Sequence, residues 1–550
     1  MRLPIFVTLV LCVSLVAAAG GRDKKAADEL FGGPVPQLRV EIPQEGMAVL
    51  RGYRQVWRQE RPERIDIHAR VREGEQVYED VAVHLKGSFT FEGIDAKPSL
   101  TLNFDKFVPG RRFHGLSKIH LNNSVQDPTG LCEQLARGLF NEMGVVTPRA
   151  TPALVQLNGR DLGVCVLVEG ANKIFVERNF GAAVKGNLYD GGALDGDVNK
   201  ELKIVAGDPK SDRSDLKALV DAAGEKDSAK RLERLEKVLD VEEFITFAAI
   251  EAMIVQWDGY CIGCNNYRVF HDEARDKIVF MPHGLDQLFG KSNSPEMSLT
   301  PTFKGLVARA LFSIPEARER YFKRIEELSK KSLRVEALHE RIDRLAERLR
   351  GALNQEQRAG LDDSVDALKA RVVQRAASVA RQLANPSRPL RFGEDGTAQL
   401  SGWRFKSDPS YMAQGNRVMV GGHELLRLRG SGQNGAGGTW RTAVLLDEGH
   451  YEFSGLARTR GDVDPRRSAS GVMLRISGET RTEGMGTADD WNTFRYDFDV
   501  RGRENVELVC EFRGPPGGVG EFDAASMRLM RNAPGAKEAE KSGGIAGQRR

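Results

Sequence analysis

The hydrophobic pattern of this 550-residue chain changes abruptly at Asn385-Pro386-Ser387-Arg388-Pro389. Just before this point, residues 316–384 place apolar side chains at helical spacing and carry their charges outward. Beyond it, short alternating segments are separated by turn signals, which is typical of antiparallel sheets. Because proline cannot extend the preceding helix, we expect two domains that meet here.

The first predicted domain, residues 38–385, begins with strands and ends with helices. Up to residue 121, apolar and β-branched side chains alternate, as in EDVAVHLKGS and SLTLNF. The alternation resumes around Asn158-Gly159, a strong hairpin signal. Helical spacing appears in TGLCEQLARGLFNEMG, in residues 214–238 and in VEEFITFAAIEAMIVQW. This order predicts an α+β domain.

The two ends of the chain differ from its middle. Residues 1–19 contain one basic residue, an apolar run and Ala17-Ala18-Ala19, the features of a secretory signal peptide. We therefore expect cleavage near Ala19, a linker over residues 20–37 and an exported protein. Residues 390–531 predict an antiparallel β-sandwich, and the polar, glycine-rich residues 532–550 predict a disordered tail.

Composition excludes some classes of partner. The chain has 80 basic and 77 acidic residues, so its net charge of +3 gives no overall field that favours nucleic acid. No stretch after the signal peptide is apolar for long enough to form an integral membrane span. Five cysteines follow the signal peptide, too few to make a disulfide scaffold in a chain of this length.

Several segments of the first domain carry residue types that phosphoryl transfer requires. That reaction needs cations over the nucleotide phosphates, carboxylates that hold a divalent metal, and a carboxylate that orients the acceptor hydroxyl. The sequence offers candidates for these roles in VAVHLKGS (Lys86), KPSLTLNF (Lys97), VCVLVEG (Glu169), WDGYCIGCNNY (Asp258 and Asn266) and HGLDQLFG (Asp286).

In this order, the segments resemble the CotH kinase family, atypical relatives of the protein kinases, over about residues 40–384. The resemblance implies an atypical protein-kinase-like fold that uses ATP with Mg²⁺ or Mn²⁺. It assigns Asp258 to catalysis, the cofactor to Lys86, Lys97 and Glu169, and the metal to Asp286 and Asn266. Since Glu169 ends an apolar strand, we expect a cationic partner for it, such as Lys97.

The sequence departs from the family pattern at two places. His84 stands where the family usually has an arginine, and His283-Gly284 occupies the neighbourhood of an additional aspartate. Losing that carboxylate would weaken a site for a second metal ion. These departures keep a catalytically inactive protein among the hypotheses.

Cys261 and Cys264 lie between Asp258 and Asn266, inside the predicted catalytic loop. Three interpretations stay open: a structural disulfide, which export favours, a redox pair, or half of a metal site. Zinc is the weakest of them, because no second Cys or His pair at zinc spacing lies nearby in the sequence.

The second domain resembles the jelly-roll carbohydrate-binding modules, in segments such as GHYEFSGLAR and DDWNTFRYDFDV. Such modules hold sugars on aromatic faces, so Trp403, Trp440 and Trp491 are candidate platforms, although large aromatics in a sandwich more often pack in the core.

Three functions follow as hypotheses. The first is an exported kinase that phosphorylates Ser or Thr of secreted or surface proteins, and the joint presence of Lys97, Glu169, Asp258, Asn266 and Asp286 favours it. The second is an inactive structural or coat protein. The third is a surface protein attached to glycan through its second domain.

Overall fold

The structure is a computed structural model that mixes helices and strands in several sheets. It describes residues 23–54, 64–192, 194, 196, 198, 202–386, 388–407, 413–430, 436–461, 471–477, 489–500 and 502–532. The predicted signal peptide and residues 533–550 of the predicted tail lie outside the described residues. The chain divides into two compact units, one of residues 1–299 with 304–384 and one of residues 300–303 with 385–550.

A closed barrel forms the beginning of the first unit. Its order is β1-β2-β3-β4-β5-β7-β6, and β6 closes it by pairing in parallel with β1. The strands are β1 Gln37–Glu41, β2 Ile67–Glu73, β3 Gln76–Lys86, β4 Ser99–Asn103, β5 Lys118–Asn122, β6 Ala150–Leu157 and β7 Arg160–Glu169. The predicted Asn158-Gly159 hairpin is confirmed, because these two residues turn β6 into β7 with positive φ angles.

Alternating side chains of the strands fill the barrel. In β3, for example, Val81, Val83 and Leu85 are fully buried. Residues 23–32, which the sequence placed in a linker, instead form a helix. The linker prediction is wrong there because Leu30 and Phe31 of this helix pack into the barrel core.

Helices and a small sheet complete the first unit. The sheet has the order β11-β10-β8-β9, with β8 Leu188–Asp190, β9 Lys203–Ala206, β10 Tyr267–Asp272 and β11 Lys277–Pro282. The helices are Gln44–Arg51, Cys132–Glu142, Lys173–Phe180, Ser214–Ala223, Ser228–Val238, Val241–Met253, Tyr260–Gly263, Leu306–Phe312, Pro315–Lys331, Val335–Arg350 and Gln355–Ala384. The helical spacing predicted over residues 214–238 is confirmed as two helices, because Asp227 caps the second one by accepting the Lys230 N–H.

The second unit consists of two antiparallel sheets around one core. One sheet has the order β12-β22-β17-β21-β15-β14, with β19 paired to β17, and the other has the order β13-β16-β20-β18. The strands are β12 Thr397–Gln399, β13 Arg404–Ser407, β14 Ala413–Val420, β15 His423–Gly430, β16 Ala436–Leu446, β17 Gly449–Arg460, β18 Gly471–Ile476, β19 Asn492–Val500, β20 Glu504–Gly514, β21 Val519–Asp523 and β22 Arg528–Asn532.

The three candidate tryptophan platforms of the second unit have different surroundings. Trp403 and Trp440 are 4% and 5% exposed and belong to the core, which excludes them as open sugar platforms. Trp491 is half-buried, and the Arg458 guanidinium lies 4.3 Å from its ring centre. None of the helices in the described part of the chain is both long enough and apolar enough to cross a bilayer.

Candidate active site

A cleft of about 680 Å³ opens in the first unit. It is bordered by the end of β3, the end of β5, helix Cys132–Glu142 and the segments that follow helix Val241–Met253 and β11. Its lining includes Arg64, Lys86, Asn122, Glu133, Asp190, Gln256, Asp258, Asn265, Asn266, His283, Gly284, Asp286 and Gln287. Four residues that the sequence singled out, Lys86, Asp258, Asn266 and Asp286, are therefore brought together.

The other two predicted site residues are not part of the cleft lining. Lys97 Nζ donates to the Val164 carbonyl oxygen at 2.7 Å, which ties the loop before β4 to β7. Glu169 is 2% exposed and forms ion pairs with Arg149 at 3.3 Å and Arg178 at 2.6 Å. The expected cationic partner of Glu169 is confirmed, but it is a pair of guanidinium groups and not Lys97.

Lys86 ends β3 and lies within hydrogen-bond distance of the end of β5. Its Nζ donates to Asn122 Oδ1 at 2.6 Å. Burial lowers the pKa of Lys86 to about 8, an effect that Glu133 opposes and Arg268 reinforces. The side chain thus carries a positive charge at neutral pH in a cleft where that charge has little solvation.

Glu133 is a site residue that the sequence analysis missed. It is 3% exposed, and its Oε2 accepts from Arg137 Nε at 2.7 Å. Its Oε1 accepts the Leu285 backbone N–H at 3.2 Å, so this helical carboxylate holds the segment that carries Asp286. The available sequence signal was a Glu-Arg pair four residues apart, placed beside the apolar positions of this helix, where a charged pair facing the core needs a reason.

Asp258 is half-buried, and two neighbouring amides fix its carboxylate. Asn266 Nδ2 donates to Asp258 Oδ2 at 2.8 Å, and Asn265 Nδ2 lies 3.3 Å from both carboxylate oxygens. Burial raises the pKa of Asp258 above its ordinary value, and the two amide donors oppose this rise. The arrangement leaves a carboxylate that is oriented and more basic than one at the surface.

Gly284 explains one departure from the family pattern. Its φ is +58°, and a Cβ at this position would lie 2.7 Å from the Asn266 side chain. Next to it, the His283 N–H donates to the Asn266 carbonyl oxygen at 2.9 Å. A glycine is thus needed here for the close approach that holds Asn266 beside Asp258. The other departure, His84, lies 2.6 Å from Asp66 and is not among the residues that line the cleft.

The chain turns sharply after helix Val241–Met253 to deliver Asp258. Val255 has φ +58°, a left-handed conformation that is unusual for a β-branched residue. The Phe289 N–H donates to the Ile254 carbonyl oxygen at 2.7 Å, and Gln256 Nε2 donates to the Gly284 carbonyl oxygen at 2.8 Å. These bonds join the segment of Asp258 to the segment of Asp286.

Asp286 is half-buried, and it forms no ion pair among the residues that the structure describes. Burial together with Glu133 and Asp127 raises the pKa of Asp286 to about 7, and Lys291 opposes this only weakly. Its neighbours in the lining, Asn266 and Gln287, offer amide oxygens. Hard oxygen ligands suit Mg²⁺ and Mn²⁺, so the residues fit a divalent cation that would relieve the charge on Asp286. Among the described residues, no group of three or more His, Cys, Asp or Glu is placed to hold a metal by itself.

The two cysteines of the predicted catalytic loop are not joined. All five described cysteines are thiols, so the structural disulfide that we favoured is absent from this structure. Cys261 is buried and Cys264 is partly exposed. Burial and the neighbouring Glu251 raise the pKa of the Cys261 thiol well above its ordinary value.

Comparison with known proteins places the cleft in a family context. Inner spore coat protein H of Bacillus subtilis is 23% identical over 267 residues, which cover 44% of this chain and 71% of that protein. Invasin CotH2 of Rhizopus delemar is 27% identical over 190 residues, or 31% of this chain, so the match spans about a third (32%) of the invasin.

Two solved structures show weak likeness. The Helicobacter pylori proinflammatory kinase CtkA is 9% identical, covers 56% of this chain and 92% of its own, and gives a TM-score of 0.23. TmCBM61 in complex with β-1,4-galactotriose is 12% identical, covers 26% of this chain and 100% of its own, and gives a TM-score of 0.16. These scores are too low to establish a shared fold.

The family model described as CotH kinase protein matches residues 83–378. This match includes Lys86, Glu133, Asp258, Asn266 and Asp286, and it spans more than half of the 550 residues. The chain belongs to the CotH kinase protein family.

Proposed function

We propose that the first unit is an atypical protein kinase that transfers the γ-phosphoryl group of ATP to Ser or Thr of secreted or surface proteins. One observation carries the proposal: a single cleft gathers Lys86, Glu133, Asp258, Asn266 and Asp286. They supply a cation for the nucleotide phosphates, a carboxylate that orients the acceptor hydroxyl, and a second carboxylate, with a raised pKa, that a divalent metal would bind. These are the parts that phosphoryl transfer requires of a protein.

Each side chain has a role that follows from its contacts. Lys86 binds the nucleotide phosphates. Glu133 favours the charged form of Lys86, and it also anchors the segment of Asp286 by accepting the Leu285 N–H. Asp258, oriented by Asn266, accepts the hydrogen bond of the acceptor hydroxyl and then its proton. Asp286 and the amide oxygen of Asn266 would hold Mg²⁺ or Mn²⁺, which offsets negative charge on the phosphates.

Lys97 and Glu169 have no role in this proposal. Both are engaged elsewhere, Lys97 with a backbone carbonyl group and Glu169 with two arginines. Glu133, which the sequence analysis did not single out, lines the cleft. The two named relatives are a spore coat protein and an invasin, which supports a location at a surface or outside the cell.

A structural coat protein without turnover is the second candidate function. It is favoured by the absence, among the described residues, of three metal-binding side chains in one group. Attachment of the second unit to glycan would be compatible with either function, and Trp491 is the platform candidate outside the core.

The proposal is tested with the full chain after residue 19, radiolabelled ATP, and either Mg²⁺ or Mn²⁺. We expect label on the protein itself and on a general Ser- and Thr-rich acceptor protein. Asp258→Ala should abolish the label, whereas Asp366→Ala, at an exposed helical position, should retain it. If calorimetry detects no binding of ATP with either metal, the kinase proposal falls and the structural function replaces it.

A further inference from the structure

The Cys261-x-x-Cys264 pair has no role in the proposed transfer, yet it lies in the middle of the catalytic segment. Cys261 is in helix Tyr260–Gly263, and the Cys264 N–H donates to the Tyr260 carbonyl oxygen at 3.2 Å, so one helical turn separates the cysteines. Cα atoms three residues apart in such a turn are about 5 Å apart. The Cα–Cα distance across a disulfide is roughly 4.4–6.8 Å, so the spacing of these two cysteines permits one.

One side of the turn is held rigidly. Glu251, which is fully buried, accepts the backbone N–H groups of Tyr260 and Cys261, both at 3.0 Å. The Lys304 N–H donates to the Cys261 carbonyl oxygen at 2.9 Å. Cys261 is therefore fixed, so the adjustment that brings the two sulfurs into bonding contact falls on Cys264.

The residues on either side of Cys264 contact Asp258. Gly263, directly before it, packs so closely that a Cβ there would lie 2.9 Å from Asp258 Cα. The two residues directly after it, Asn265 and Asn266, donate the amide hydrogen bonds that orient the Asp258 carboxylate. Cys264 and Asn266 both have positive φ, so this segment has little freedom to absorb a shift.

We propose that Cys261 and Cys264 are a reversible thiol–disulfide modification site, and that the disulfide disrupts the amide clamp on Asp258. Because Cys261 is fixed, the change of Cys264 to disulfide geometry would be passed on to Asn265 and Asn266, which follow it directly. The effect on phosphoryl transfer rests on the proposed function, but the formation of the disulfide and the local movement do not.

The reaction uses an external disulfide, such as oxidised glutathione, as the oxidant. The partly exposed Cys264 attacks one of its sulfurs as the thiolate, forms a mixed disulfide and expels one thiolate. Cys261, as the thiolate, then attacks the Cys264 sulfur and expels the second. The two cysteines lose two protons and two electrons, and the external disulfide is reduced to two thiols.

The test exposes the full chain after residue 19 to buffers with rising ratios of oxidised to reduced glutathione. Peptide mass spectrometry identifies the linked cysteines, and amide hydrogen exchange reports residues 257–266. We expect a Cys261–Cys264 linkage that a reducing agent reverses, with at least tenfold faster exchange in that segment. Cys264→Ser should abolish both responses, whereas Cys165→Ala, a buried cysteine of the barrel, should retain them.

Activity gives the second arm of the experiment. Oxidation should lower phosphoryl transfer at least tenfold in the unmodified protein and leave Cys264→Ser unchanged. Absence of the linkage, or linkage without faster exchange of residues 257–266, would overturn the proposal. If linkage and faster exchange occur but no transfer is seen in either redox state, the modification site stands and the kinase function fails.

Discussion

Replacement of Asp286 by Asn should stabilise the metal-free protein at alkaline pH while removing its response to metal and nucleotide. Burial and the nearby Glu133 raise the pKa of Asp286 from 3.8 to about 7, so the ionised carboxylate is disfavoured in the folded state. At about 1.4 kcal/mol for each pH unit, this corresponds to about 4 kcal/mol. Because solvent reaches part of the side chain, we expect about 2 kcal/mol in practice.

The sign of this effect depends on pH in a defined way. Below pH 3.8, both folded and unfolded states hold the proton, and Asp286 contributes nothing to the pH dependence. Between pH 3.8 and about 7, the folded state holds a proton that the unfolded state has lost, so stability falls as pH rises. Above about 7 the full penalty is present, and Asp286→Asn removes it.

Amide hydrogen exchange of helix Val241–Met253, in which residues 244–253 are all buried, measures the free energy of unfolding of the first unit. In the presence of a chelator, the stability advantage of Asp286→Asn should be smaller at pH 5 than at pH 8, where it should reach about 2 kcal/mol. Magnesium and ATP should then stabilise the unmodified protein only. Asp366→Asn, at an exposed position, serves as the control. Equal or lower stability of Asp286→Asn at pH 8 would refute the argument.

Other substitutions separate binding from turnover and from folding. Asp258→Ala should lower turnover by roughly two to four powers of ten and leave the calorimetric affinity for ATP nearly unchanged, because its carboxylate serves the acceptor. ATP affinity should fall as pH rises through about 8, where Lys86 loses its charge, and calorimetry of Lys86→Arg at pH 7 and pH 9 should show no such fall. Glu169→Gln should destabilise the first unit by about 3 kcal/mol in urea denaturation, because Arg149 and Arg178 lose their buried counter-charge.

Local signals in the sequence were sufficient for most individual elements. Asn158-Gly159 fixes the hairpin of β6 and β7, and Gly144, with φ +86°, follows the end of helix Cys132–Glu142, which is a common way for a helix to stop. Closure of the barrel was not predictable, since β1 pairs with β6 across more than a hundred residues. The helix over residues 23–32 was missed because its apolar positions are few and its purpose is to cover that barrel.

Site residues that lie in recognisable motifs were predictable, whereas a residue that only the fold brings to the cleft was not. Lys86, Asp258, Asn266 and Asp286 lie in segments with recognisable chemistry, and the structure brings them to one cleft. The third carboxylate was misplaced. Glu169 ends an apolar strand and attracted attention, whereas Glu133 looks like half of an ordinary helical ion pair. Only long-range packing determines whether Glu169 or Glu133 lies near Lys86.

Closure of the barrel through β1 and β6 has a consequence for biogenesis. Synthesis runs from the N-terminus, so β1 emerges first, and it has no parallel partner until β6 has followed it. The β6–β7 hairpin must also form before the order β5-β7-β6 can be completed. The edges of the early strands therefore stay unpaired until most of this region has emerged. Unpaired strand edges promote pairing between different chains. Substitutions at the Asn158-Gly159 turn would accordingly reduce the yield of folded protein through aggregation, even though this turn is not among the residues that line the cleft.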